Sequence, residues 1–235
     1  MHKIFLLSIS ITCLLIGIQV QSHTIALIGT GNVSSALGPR FADMGHTIIY
    51  GSRSPFEQNV KNLVALTGPN ASATSQSNSV VAADIIVLAI PGGVIDEVVK
   101  QLGNLAGKII IDPINAVRLG KDSGLALSIL PSAAERIQKI APAAHVVKAF
   151  NTVSARFMRD PESAGGPITI PLAGDSSEAK AIVASLVSGL GLEALDIGPL
   201  KNAQYLEYMG LMYIAQRSQG RGALSFEYHL RIVPR

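Results

Sequence analysis

The chain has 235 residues, of which 48% are hydrophobic and 15% charged, and a formal net charge of +3. This composition can bury a core and excludes intrinsic disorder, and the length suits one medium domain with a small appendage. Lys and Arg are scattered rather than run together, which excludes nucleic acid as the expected partner.

The first 22 residues differ from the rest. Met1, His2 and Lys3 make a short basic start, an apolar run follows from Ile4 to Ile18, and Val20 and Ser22 occupy the positions a signal peptidase reads. The pattern predicts a leader over residues 1–22, cleaved after Ser22. It assigns the chain to a secreted, periplasmic or ER-lumenal location, with an uncleaved signal anchor as the alternative. The run is shorter than the roughly 20 apolar residues of a spanning helix, and no later segment reads as a membrane domain. Cys13, the only cysteine, lies in the leader. Disulfides, thiolate catalysis and cysteine metal sites are therefore not expected in the mature chain.

Apolar runs then alternate with helical patterns. Thr24–Ile28 reads as a buried strand ending at glycine, Asn32–Met44 as a helix stopped by Gly45, and Thr47–Tyr50 as a second strand. Pro39 inside the first helix predicts a kink. Pro55–Leu66 reads as a helix with a capping box between Ser54 and Glu57. Residues 67–79 are rich in Ser, Asn, Gly and Thr and read as a loop.

Asp84–Ile90 is the most apolar strand and ends at Pro91-Gly92-Gly93. A helix over Val94–Leu102 and a strand over Lys108–Ile111 follow. Residues 112–131 look irregular, Ala133–Ile140 is helical, and His145–Phe150 is a strand. Strands buried on both faces and separated by helices imply an α/β fold with a Rossmann-like, doubly wound parallel sheet, here over residues 23–153. Residues 154–235 read as a small C-terminal α/β extension. It contains a strand over Pro167–Ala173, a helix over Ser176–Gly189, a strand over Glu193–Ile197 and a long helix over Leu200–Arg217. The apolar residues Leu206, Met209, Leu211, Tyr213 and Ile214 are too many for one stripe. That predicts burial of the helix on two sides, one of them against a second copy of the chain.

Gly29-Thr30-Gly31-Asn32-Val33-Ser34 follows a strand and opens a helix, the context of a dinucleotide-binding turn. The first glycine permits the tight turn, the second lets the backbone approach a pyrophosphate, and the helix N-terminus offers N–H donors. Ser34 stands in place of the third glycine. NAD-binding turns place Asp or Glu about 20 residues after the first glycine. Here the stretch is Tyr50-Gly51-Ser52-Arg53-Ser54, with a guanidinium and hydroxyls instead of a carboxylate. Arg53 suits the 2′-phosphate of NADP(H), flanked by Ser52 and Ser54. Further strand ends, Ala89-Ile90-Pro91, Asn115 and Ala149-Phe150-Asn151-Thr152, are expected to line the cofactor cleft, although Asn115 and Asn151 also suit turns. His145, in an apolar strand, reads as structural, and no metal-ligand spacing is visible.

Gly29-Thr30-Gly31-Asn32, Gly51-Ser52-Arg53 and Lys148-Ala149-Phe150-Asn151-Thr152 together resemble the coenzyme F420-dependent NADP oxidoreductase family and the N-terminal oxidoreductase domain of STEAP metalloreductases. The resemblance implies hydride transfer between NADP(H) and a flavin or deazaflavin (F420-like) acceptor, without a catalytic acid or base. It implies that Thr30, Asn32, Val33, Ser52 and Arg53 hold the adenosine phosphates and that Ala89, Ile90 and Ala149 border the nicotinamide. It also implies a homodimer formed through the C-terminal portion. Glu57 departs from the pattern, standing where relatives often carry a basic residue. Two other readings stay open: a non-catalytic NADP sensor, and an imine reductase resembling pyrroline-5-carboxylate reductase. Asn32-Val33-Ser34 and Asn70-Ala71-Ser72 are also N-glycosylation sequons, and a glycan on Asn32 would block the phosphate turn.

Overall fold

A computed structural model describes residues 21–120, 124–218 and 226–233. Residues 1–20, which hold Cys13 and most of the expected leader, lie outside the described residues.

The first strand, β1 (Thr24–Ile28), runs into helix α1 (Asn32–Asp43), then β2 (Thr47–Ser52), α2 (Gln58–Thr67) and β3 (Ala71–Ser75). A four-residue turn of helix, α3 (Gln76–Ser79), precedes β4 (Ile85–Leu88), α4 (Ile95–Gln101) and β5 (Ile109–Asp112). A two-stranded antiparallel excursion, β6 (Val117–Leu119) and β7 (Leu125–Leu127), leads to α5 (Ala133–Ile140) and β8 (His145–Lys148). The rest comprises α6 (Ala155–Arg159), β9 (Thr169–Gly174), α7 (Ser177–Gly189), β10 (Glu193–Asp196) and α8 (Ala203–Ser218).

The main sheet has the order β10-β9-β8-β5-β4-β1-β2-β3. Six strands, from β3 to β8, are parallel, the doubly wound arrangement expected from the sequence. Sheet pairing continues past β8, because β9 joins antiparallel to it through Val147↔Gly174 and Lys148↔Ala173. The ladder stops short of Pro171, which has no N–H to give. β10 then pairs parallel to β9 as the outer strand.

Alternating residues of each strand feed opposite faces. Ile25 and Leu27 join the core beneath α1 and α7, while Ala26 and Ile28 join the core beneath α4 and α5. Each fully buried aliphatic side chain of this kind is worth about 2 kcal/mol. Gly38 lets α1 lie directly on Tyr50, since a Cβ there would overlap the tyrosine hydroxyl. That hydroxyl meets Thr67 Oγ1 at 2.7 Å, and burial pushes its pKa up to about 12. α1 runs through Pro39 without interruption.

Several expectations are corrected. Residues 67–79 are not a loop, because the small hydroxyl residues of β3 pair with β2 along its whole length. Backbone pairing at an outer edge overrides the polar composition there. Residues 112–131 contain the β6–β7 ribbon, and α6 occupies a stretch with no helical signal of its own. α2 begins at Gln58, later than Pro55, with Glu57 as a cap that makes no side-chain hydrogen bond. The Ser54–Glu57 capping box does not form, because Glu57 N–H donates to the Ser54 carbonyl within a turn. Within the single chain α8 buries one face, through Ala203, Leu206, Glu207 and Tyr213, which leaves the expected contact of its other side with a second copy untested. Tyr205, Tyr208 and Met212 on its other side are exposed.

Candidate cofactor site

The carboxyl ends of β1, β2 and β4 meet around a cavity of about 600 Å³. Gly29 closes β1 with φ +100°, a left-handed conformation that favours glycine. A Cβ there would also overlap the Ala89 carbonyl, so β1 and β4 could not approach as they do. The Gly29 N–H donates to the Gly51 carbonyl at 2.9 Å, which ties in the end of β2.

Gly31 is the N-cap of α1 and carries no side chain to satisfy the first turn. The N–H groups of Asn32, Val33 and Ser34 therefore have neither a helical partner nor a cap. No acidic residue stands in that turn, and a Cβ built on Gly31 meets nothing within 4 Å. This is a cradle for an anion: open space facing uncapped amides at the positive end of a twelve-residue helix. Ser34, fully buried, packs where a third glycine was expected.

Beyond β2, Ser52 Oγ accepts from Ser54 N–H at 3.1 Å and shapes the turn that carries Arg53. Arg53 lines the cavity and makes no ion pair with a carboxylate among the described residues. Thr30 and the strand-end residues Ala89, Ile90 and Pro91 also line the cavity. Five wall residues were missed in the sequence: Gln76, and Val94, Glu97, Val98 and Gln101 around α4. Their spacing of three and four residues is the signal that marks one helix face turned to the cleft.

Asn115, Ala149 and Asn151 lie apart from this cavity, the two asparagines beneath α8 and Ala149 in the core on the α1 and α7 side. Asn115 Nδ2 donates to the Asn151 carbonyl at 2.7 Å, and Asn151 Nδ2 donates to the Leu206 carbonyl at 2.7 Å. Gly210 makes this approach possible, because a Cβ there would overlap Asn115 Oδ1. Asn151 Oδ1 and Thr152 Oγ1 are buried and have no hydrogen-bond partner. Phe150, just before them in the chain, adopts φ 64°, a strained conformation for a bulky residue, held by complete burial.

Under the same helix lies a buried ionic group. Lys148 Nζ is 3.0 Å from Asp112 Oδ2 and 3.0 Å from Glu207 Oε1, and it donates to the Ile114 carbonyl at 2.6 Å. All three side chains are shut off from solvent. Glu207 Oε1 also accepts from Ala133 N–H at 2.7 Å. Burial raises the Glu207 pKa against the opposing pull of Lys148. His145 is exposed at the start of β8, at the other end of the sheet. The described residues hold no group of His, Cys, Asp and Glu that could bind a metal, and no helix among them is long and apolar enough to cross a membrane.

Comparison with known proteins matches this geometry. Residues 24–116 fit the family model described as NADP oxidoreductase, coenzyme F420-dependent. Metalloreductase STEAP3 of Rattus norvegicus is 28% identical over 191 residues, covering 81% of this chain. That match spans 37% of the metalloreductase, so the chain corresponds to little more than a third of such relatives. A candidate F420-dependent NADP-reductase from Arthrobacter sp. FB24 superposes with a TM-score of 0.80 at 28% identity, covering 90% of this chain and 100% of that one. A reductive aminase from Aspergillus terreus, solved with NADPH and ethyl-5-oxohexanoate, shares the fold at 18% identity and a TM-score of 0.62, over 85% of this chain and 64% of that one.

Proposed function

We propose that the chain, whose residues 24–116 fit the model of the coenzyme F420-dependent NADP oxidoreductase family, transfers hydride between NADP(H) and a flavin or deazaflavin acceptor. The carrying observation is one cavity that joins an uncapped helix N-terminus, open at Gly31, to the guanidinium of Arg53, which pairs with no carboxylate among the described residues. Main-chain amides there suit a pyrophosphate, and Arg53 suits a further phosphate on the adenosine ribose.

When bound, the cofactor supplies a hydride from its nicotinamide ring to the acceptor, which takes its balancing proton from water. The residues of the chain contribute position. Thr30, Asn32 and Val33 surround the pyrophosphate, Ser52, Arg53 and Ser54 the ribose phosphate, and Ala89, Ile90 and Pro91 the middle of the cofactor. Asn115, Ala149 and Asn151 stand toward the nicotinamide end. There the unpartnered Asn151 Oδ1 is an acceptor suited to a carboxamide N–H. Ring-to-ring hydride transfer needs proximity more than acid–base groups.

Under the same proposal the exposed side of α8 carries a homodimer contact, and the leader directs the chain out of the cytosol. Fluorescence titration with NADPH and NADH tests the cofactor assignment, with tighter NADPH binding expected. Turnover with F420, FMN and simple quinones then tests the acceptor. NADPH binding without turnover on any of them would favour a sensor.

A further inference from the structure

Resting on the NADP(H) reading above, we infer that Glu97 and Gln101 on α4 read the edge of the adenine base and make the site selective for adenine over bases carrying an oxygen at that edge. The base is joined to the ribose carbon next to the one that bears the 2′-phosphate. A cavity that holds this phosphate at Arg53 must therefore receive the base within a few ångströms of it. One face of α4 and its entry turn line the same cavity as Arg53.

That face divides by chemistry. Val94 and Val98, with Ile90 from the end of β4, give apolar area against which a flat ring can lie. Glu97 and Gln101, one turn apart and both exposed, give polar edges. Gln101 Nε2 approaches Glu97 Oε1 at 3.5 Å, which turns the amide N–H toward the carboxylate. Glu97 Oε2 and Gln101 Oε1 are left as acceptors. Two acceptors suit the exocyclic amine of adenine and oppose the carbonyl oxygen of hypoxanthine or guanine. No other function of the fold uses this pair. Asp96 beside it is taken up by Arg136, with Oδ1 at 2.6 Å from the guanidinium Nε, whereas Glu97 pairs with no cation among the described residues.

The test is a fluorescence titration of the full chain with NADPH and with its deaminated analogue, in which hypoxanthine replaces adenine. The wild type should bind NADPH about tenfold more tightly, the size of one hydrogen bond to a charged acceptor. Glu97→Val and Gln101→Leu should bring the ratio toward one by weakening NADPH and, with the opposing oxygens gone, holding or improving the affinity for the analogue. Both positions are exposed, so thermal unfolding of the variants should match the wild type. Equal affinity of the wild type for the two nucleotides, or variants that weaken both alike, would overturn the inference while leaving the NADP(H) site standing. Binding of neither nucleotide would remove the cofactor reading itself, and this inference with it.

Discussion

Lys148 Nζ lies 3.0 Å from Glu207 Oε1, so an ion pair wholly excluded from solvent joins the end of β8 to α8. Asp112 completes the group from β5, and Ala133 N–H and Asp112 Oδ1 tie in the neighbouring backbone. α8 is thereby fixed over the carboxyl ends of β5 and β8, where Asn115 and Asn151 are held. Lys148→Met would leave two buried carboxylates facing each other without a cation. The expected loss is about 3–5 kcal/mol, read from urea unfolding. Adding Asp112→Asn and Glu207→Gln should recover part of it. A triple variant no more stable than the single one would argue against electrostatic frustration as the cause.

Glu207 also gives the fold a pH dependence of a definite sign. Burial lifts its carboxyl above the ordinary 4.5. The folded chain then holds this proton more tightly than the unfolded chain. Its contribution is complete below the unfolded value and is lost as pH rises through the folded one. Glu207→Gln has no such proton, so the stability of the wild type minus that of the variant should fall as pH rises from about 4.5. A difference that stays flat across the series would refute the assignment.

Arg53→Ala should weaken NADPH by about thirtyfold, on the order of 2 kcal/mol for a charge-assisted contact, and leave NADH unchanged. Arg53→Lys should restore only part of the affinity, because an ammonium lacks the planar fork. Equal losses for both nucleotides would mean that the guanidinium holds something other than the ribose phosphate.

The two glycines of the phosphate turn should fail in different ways. Gly31→Ala places a methyl in open space, so unfolding stability should hardly change while nucleotide binding is abolished. Gly29→Ala strains φ +100° and overlaps the Ala89 carbonyl, so it should destabilise the fold itself, by about 1–3 kcal/mol. Calorimetric melting with and without NADPH separates the two.

Gly210→Ala drives a methyl into Asn115 Oδ1 and comes within 2.8 Å of Asn151 Nδ2. An overpacked contact of this kind costs about 1–3 kcal/mol. It should also move Asn151, so a loss of turnover at unchanged NADPH affinity is the expected signature. Unchanged turnover would detach α8 from the chemistry.

These features differ in how far the sequence announces them. β1, α1 and β2 are legible because apolar runs end at glycines whose backbone freedom the turn requires. The ring of residues around Arg53 is legible in part, since its neighbours in sequence are also its neighbours in space. Glu97 and Gln101 are hidden because an exposed polar pair on a helix normally means only solvent. β3 is hidden because Ala71–Ser75 carries no apolar alternation, and its pairing is decided by β2. The ionic group of Asp112, Lys148 and Glu207 has no local signature at all. Its members are 36 and 59 residues apart, and only the crossover connections bring them together.

The outer strands bear on strand-to-strand pairing between copies of this chain. β3 presents short hydroxyl side chains along one rim, and β10 presents exposed Glu193 and Asp196 on the other, the latter held by Lys180 at 2.8 Å. Neither rim offers the flat apolar ribbon from which fibrils grow or strands are exchanged between molecules. Growth of open-ended strand-to-strand polymers through either rim is thus disfavoured.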